Sequence, residues 1–325
     1  MSVVVGAGAP LSRLHPKGTS FGARERGWGR GLAALLALLV AFPAAAEDAS
    51  SQAPVLGDLF RPVLARPGLG GLPIHAQVSV ADNVVDCDIL AVVARPPGQV
   101  MALLGSARGW CEFLLLHPNV KACAAEPAAD GRRIVIYTGS KHFQPVETSR
   151  PQRYDLRVER RERGYLALHL WPEPAKLADA AGPARIEIAA LDDGRTGLRV
   201  QYRAPLSAGA RLLAATYFAT FGRDKIGFST TSVDADGNPV YIGGLAGAIE
   251  RNVVRHFLAI DTLLQAQEAG AEMPPERRLA HWFALTERHA RQLHELGWTE
   301  YLDIKLREFA QSAELQRSID AQAGD

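Results

Sequence analysis

Two of the chain's three cysteines, Cys111 and Cys123, stand near the ends of the short apolar stretch WCEFLLLHPNVKAC (Trp110 to Cys123), with His117 between them. Residues of these types support three chemistries: a thiolate nucleophile with an imidazole base, part of a zinc site, or a disulfide. Zinc needs more ligands than one cysteine pair and one histidine, and no second cluster in the chain has metal spacing, so no metal is expected. The choice between a disulfide and free thiols turns on the compartment.

Residues 1–46 read as an export signal. Arg13, Lys17, Arg24, Arg26 and Arg30 precede the 11-residue apolar run Leu32 to Phe42, and Ala44, Ala45 and Ala46 precede Glu47. The expectation is cleavage after Ala46 and secretion across an inner membrane into a periplasm. The run is shorter than the ~20 apolar residues of a membrane-spanning helix, which makes a permanent anchor the lesser reading. In an oxidising compartment Cys111 and Cys123 are expected to form a disulfide, and Cys87 to stay a buried thiol in a strand. Inert thiols and a Cys–His dyad remain the alternatives.

The five basic residues of the signal and its one acid, Glu25, also bias the net charge. Taking them from totals of 36 and 35 leaves 31 basic and 34 acidic residues. A mildly acidic remainder without a basic stripe argues against nucleic acid as a partner. Two further motifs fail on context. VVVGAGAP (Val3 to Pro10) lacks the third glycine and the following helix of a dinucleotide loop. Asp234-Ala235-Asp236-Gly237-Asn238 has its glycine too early for a calcium loop and suits a hairpin turn.

Other polar groups are less specific. Arg223, Lys225, Arg251 and Arg255 form a charged set, in which Arg251 and Arg255 lie one helical turn apart. They could hold an anionic head group at a cavity mouth; pairing with Asp224 and Glu250 is the plainer reading. His142, His169 and Glu250 are the available acid and base groups, with no spacing that pairs them. No Gly-x-Ser-x-Gly elbow or His-Glu-x-x-His helix is present. No catalytic residue and no cofactor is assigned.

The elements that position these groups follow from periodicity. Residues 47–79, rich in Pro and Gly, read as a linker. Val84 to Ala94 reads as a strand stopped by Arg95-Pro96-Pro97, followed by short helices over Gly98 to Leu104 and Ala107 to Leu116. Strands then recur at Asn119 to Ala124, Arg132 to Tyr137, YDLRVE, YLALHLW, ARIEIAAL and GLRVQY, the last four alternating with period two. Helical period returns over Ser207 to Thr220 and Leu245 to Gln267, with the hairpin KIGFSTTSVDADGNPVYIGG between them. An amphipathic stretch, Glu276 to Arg317 with a bend expected at Gly297, closes the chain; the expected C-terminal extension is 275–318.

This order, with the segments WCEFLLLHPNVKAC, GRDKIGFS (Gly222 to Ser229) and PVYIGGLAGAIERN (Pro239 to Asn252), resembles the START-like (SRPBCC) superfamily over residues 80–267. The segments look like an exported bacterial branch of that superfamily. The resemblance implies an α+β helix-grip fold, a curved antiparallel sheet wrapped around a long C-terminal helix, here with a helical extension. It also implies a cavity for an apolar small molecule or lipid between sheet and helix. On that expectation Trp110, Tyr137, Tyr154, Leu168, Val200, Tyr202, Phe228 and Phe257 line the cavity, and Arg223, Lys225, Arg251 and Arg255 form its polar mouth. The role expected is to bind or shuttle the ligand, with transient membrane contact. The rivals are a cyclase-like enzyme using the same cavity and an interaction protein acting through the terminal helices.

Overall fold

The computed structural model describes residues 57–128, 133–173, 184–206, 208–220, 222–268 and 273–323; the expected signal segment 1–46 lies outside them. The sheet begins earlier than the sequence suggests. Within the stretch read as a linker, helix α1 (Arg61–Ala65) and strand β1 (Ile74–Ala81) are ordered parts of the fold. Strand β1 pairs along its whole length with β2 (Val84–Val93) through a turn at Asp82 and Asn83, both at positive φ. Two such residues in succession make the turn whose twist suits a hairpin. The linker reading fails because Pro and Gly dominate only the part before Ile74. Thereafter Ile74, Ala76, Val78 and Val80 alternate with polar or small residues, a strand signal.

Beyond β2 come α2 (Pro97–Leu104) and α3 (Ala107–Leu114). Pro97 starts α2, where its missing N–H costs nothing. The Ser106 side chain caps α3 by accepting from the Gly109 N–H at 2.9 Å. Six more strands follow: β3 (Val120–Glu126), β4 (Arg133–Thr138), β5 (Arg150–Glu162), β6 (Tyr165–Pro172), β7 (Ala184–Ala190) and β8 (Thr196–Pro205). All neighbours are antiparallel, and the sheet order is β1-β2-β8-β7-β6-β5-β4-β3. Strand β8 therefore returns beside β2, and β1 and β3 are the edges.

Helix α4 (Ala208–Ala219) and a small hairpin, β9 (Thr230–Val233) with β10 (Pro239–Tyr241), separate the sheet from the long helix α5 (Gly244–Glu268). The C-terminal extension is three helices, α6 (Pro275–Glu287), α7 (Ala290–Leu293) and α8 (Trp298–Ala323), because the chain breaks at Arg288 as well as near Gly297. Their apolar stripes are buried: Leu279, Trp282, Leu293, Leu296, Tyr301 and Ile304 join the same cluster as Leu166, Leu168 and Ile186 of the sheet and Val254, Leu258 and Leu264 of α5. The extension thus completes the core. Helix α8 also covers the edge strand β3. Ser312 accepts from the Cys123 N–H at 3.1 Å, and Gln316 bonds both the N–H and the C=O of Ala125 at 2.8 and 3.0 Å. These side chains occupy backbone groups that an open edge would leave free for pairing with another chain.

The opposite face of the sheet is closed differently. Phe60 and Val63 pack on Val92 and Leu191, and a Cβ on Gly197 would lie 2.5 Å from the Phe60 ring, so only glycine fits. Further along, Asp88, Arg199, Glu187, Arg185 and Glu159 form a ladder of alternating charge. No described helix is long and apolar enough to cross a membrane.

Candidate functional site

Strand register sorts the inward-facing residues into rows. Cys87, Tyr202, Ala184, Leu170 and Leu156 lie side by side across β2, β8, β7, β6 and β5; Ile89, Val200, Ile186, Leu168 and Val158 form the next row, and Ala91, Leu198, Ile188 and Leu166 the third. The third row is buried throughout. In the other two, Tyr202, Ala184, Leu170, Ile89, Val200 and Val158 are only half-buried, as is Tyr154 nearby on β5. One end of an otherwise sealed apolar face is therefore partly open. Covering such surface gains about 25 cal/mol per Å². The polar tip here is phenolic: the Tyr154 hydroxyl donates to the Gln152 side chain at 3.2 Å. Burial, reinforced by the neighbouring Tyr202, raises the Tyr154 pKa and keeps the hydroxyl neutral.

Four of the eight residues expected to line a cavity, Tyr154, Leu168, Val200 and Tyr202, share this face, and Leu168 is fully buried within it. Phe257 on α5 is half-buried against the same core. The other three lie elsewhere. Tyr137 is opposite Pro151, so it points to the other side of the sheet from Ile134, the partner of Tyr154. Trp110 donates its Nε1–H to the Leu104 carbonyl at 2.6 Å and packs on Phe113. Phe228 meets His289 edge-on beside Gly70.

Of the expected polar mouth, three residues converge. Arg255 reaches the Glu295 carboxylate at 3.0 Å, Lys225 the same group at 2.5 Å, and Arg251 donates to the Ile226 carbonyl at 3.1 Å. Arg223 is exposed, near Asp224 at 3.6 Å. Glu295 and Lys141, which belong to this cluster, are not singled out by the sequence, since both come from loops with no periodicity. Burial alone would raise the Glu295 pKa, but Lys225, Arg255 and Lys141 outweigh it and hold the carboxylate below its ordinary range. The acid and base groups do not converge. His142 pairs with Glu300, His169 with Glu159 on the far face, and Glu250 accepts the N–H groups of Phe228 and Ser229 at 2.6 and 2.9 Å.

Cys111 and Cys123 form a disulfide, with Cα atoms 5.2 Å apart, and Cys87 is a buried thiol. The bridge ties α3 to β3 and borders a cleft of about 570 Å³ lined also by Leu263, Met273, Arg278 and Phe309. His117 serves packing. Its Nδ1 accepts from the Asn119 N–H at 3.1 Å, which leaves Nε2 to donate to the Asn252 oxygen at 3.2 Å. Burial, then His256 and Arg255, hold His117 neutral, well below the usual histidine range.

No family model and no curated protein matches the chain in sequence. Solved structures with a similar course include a STAR-related lipid transfer protein from Xanthomonas axonopodis, at 13% identity over 48% of this chain and 90% of that one, with a TM-score of 0.33. Human StAR-related lipid transfer protein 5 is 13% identical over 52% and 90% of the two chains, with a TM-score of 0.29. The lipid transfer and protein localization domain of human StarD13 is 14% identical over 47% and 83%, with a TM-score of 0.28. At these scores the assignment rests on the chain's own topology. With β8 returned beside β2, two short helices after β2 and a long helix after the sheet, the fold is an α+β helix-grip fold.

Proposed function

We propose that this protein is exported and binds an apolar ligand, of lipid class, on the inward face of its sheet, which it holds for storage or transfer. The observation that carries the reading is the partial exposure of two adjacent apolar rows, from Ile89 and Val200 to Tyr202 and Leu170, on a face buried elsewhere. A ligand laid there replaces water on apolar side chains and meets the neutral Tyr154 phenol at one end. The Cys111–Cys123 disulfide supports an oxidising compartment and hence export.

The enzyme reading loses its named groups, because His142, His169 and Glu250 are committed to separate partners. The interaction reading is weakened because the stripes of α6 to α8 are spent on the core. The test is lipid analysis by native mass spectrometry of the protein isolated from its own host. A stoichiometric apolar adduct is expected, with much less bound in Val200→Trp, which fills the open row. Protein that carries no adduct and takes up no fluorescent lipid would overturn the reading. Export is checked by cell fractionation with intact-mass analysis, expecting a mature chain that begins at Glu47.

A further inference from the structure

Arg251 and Arg255 are only 4% and 5% exposed, yet the Nε of each is buried with no partner. Their remaining bonds are few: Arg251 donates to the Ile226 carbonyl, and Arg255 to the Leu293 carbonyl, Asn252 and Glu295. Lys225 lies 2.5 Å from the Glu295 carboxylate, and Lys141 lies 3.8 Å from it while donating to the Glu295 carbonyl at 2.7 Å. Three cations thus contact one carboxylate, and Arg251 is a fourth that feels it at longer range. Glu250, the next acid, is bound to backbone N–H groups, and even counting it the cluster carries two positive charges in excess. The excess lies on the partly exposed Lys225 and Lys141, while the orphaned Nε–H groups belong to the buried arginines behind them; an anion entering between the lysines relieves the repulsion and supplies acceptors. The cluster is not sealed, since the Lys225 and Lys141 side chains are 31% and 39% exposed.

We propose that this cluster is a binding site for a doubly charged oxyanion, a phosphoryl group, held by Arg251, Lys225 and Lys141 in competition with Glu295. A phosphoryl group carries roughly −1.5 to −2 charges and three acceptor oxygens, which matches the excess charge and the spare donors. It can arrive as inorganic phosphate or as the phosphate monoester head of a lipid. The site stands whether or not the apolar face of the sheet holds a ligand.

Thermal unfolding of the full chain, with sodium phosphate against sodium chloride at equal ionic strength, tests it. Phosphate at about ten times its dissociation constant raises the midpoint by roughly 2–5 °C, and chloride does not. Lys225→Met and Lys141→Met, both at partly exposed positions, each weaken phosphate about tenfold by calorimetry, whereas Glu295→Gln strengthens it. A parallel titration with a short-chain phosphatidic acid separates the sources. Stabilisation by phosphate assigns the free anion, and stabilisation by the lipid alone assigns the head group. The proposal is overturned if neither exceeds chloride, or if both lysine variants respond as the wild type does.

Discussion

The Glu308 carboxylate on α8 lies 2.6 Å from the Lys121 Nζ on β3, with neither side chain exposed, and so joins the C-terminal helix to the edge of the sheet through a buried ion pair. Its second oxygen lies 2.6 Å from Lys305 Nζ, also unexposed, and the two ammonium groups share the carbonyls of Pro118, His142, His117 and Val120.

One carboxylate between two buried cations cannot be removed cheaply. Glu308→Gln is expected to cost about 3–5 kcal/mol, because both ammonium groups lose their counter-charge. Urea unfolding reads this directly. A cost below about 1 kcal/mol would show that the pair contributes little beyond packing.

Lys305 gives the same joint a pH signature. Burial, partly offset by Glu308, lowers its pKa to about 8 from 10.5. The unfolded chain then binds more protons between those values, so this group's contribution to stability rises as pH climbs from about 8 to 10.5 and falls on the way down. Wild type should gain stability relative to Lys305→Met across that window. Parallel curves for the two proteins would refute it.

On the acid side, two histidines packed against each other contribute. His256 is lowered to about 4 by burial and by Arg255, and burial, then His256 and Arg255, hold His117 well below its ordinary 6.5. Groups lowered in the folded state bind protons in the unfolded chain first, so stability holds above about pH 6.5 and is lost as pH falls toward 4. His256→Phe, whose ring stays against Phe113 and His117, is expected to flatten the acid limb. Midpoints measured at pH 7 and pH 5 in both proteins suffice.

The disulfide closes a loop with a sequence separation of 12 residues. Its loss in Cys111→Ser with Cys123→Ser should cost about 3 kcal/mol. Intact mass with and without reduction should show one bridge. Cys87, buried in β2, should resist alkylation until the protein unfolds.

Edge protection by α8 has its own test. Ser312→Ala leaves the Cys123 N–H without its acceptor and is expected to cost about 1–3 kcal/mol. If the stability is unchanged, the hydroxyl is dispensable and packing alone covers the edge.

Alternation in YDLRVE, YLALHLW, ARIEIAAL and GLRVQY was enough to place Tyr154, Leu168, Val200 and Tyr202 on one face, because a strand repeats every two residues and a single buried side sorts them. The same reasoning failed for RRIVIY. Ile134 and Val135 are both fully buried, so both faces of β4 are apolar and the pattern could not show that Tyr137 points away. Periodicity likewise marked α5 and the stripes of the extension without saying what they cover. What the sequence by itself determined, then, is local: strands, helices, inward positions and the cysteine pair suited to a bridge. Only the tertiary structure decided which end of the sheet stays partly open, and that Glu295 meets Arg255 forty residues away and Glu308 meets Lys121 across 187. Such encounters depend on how whole elements pack in space, and no repeat along the chain encodes that distance.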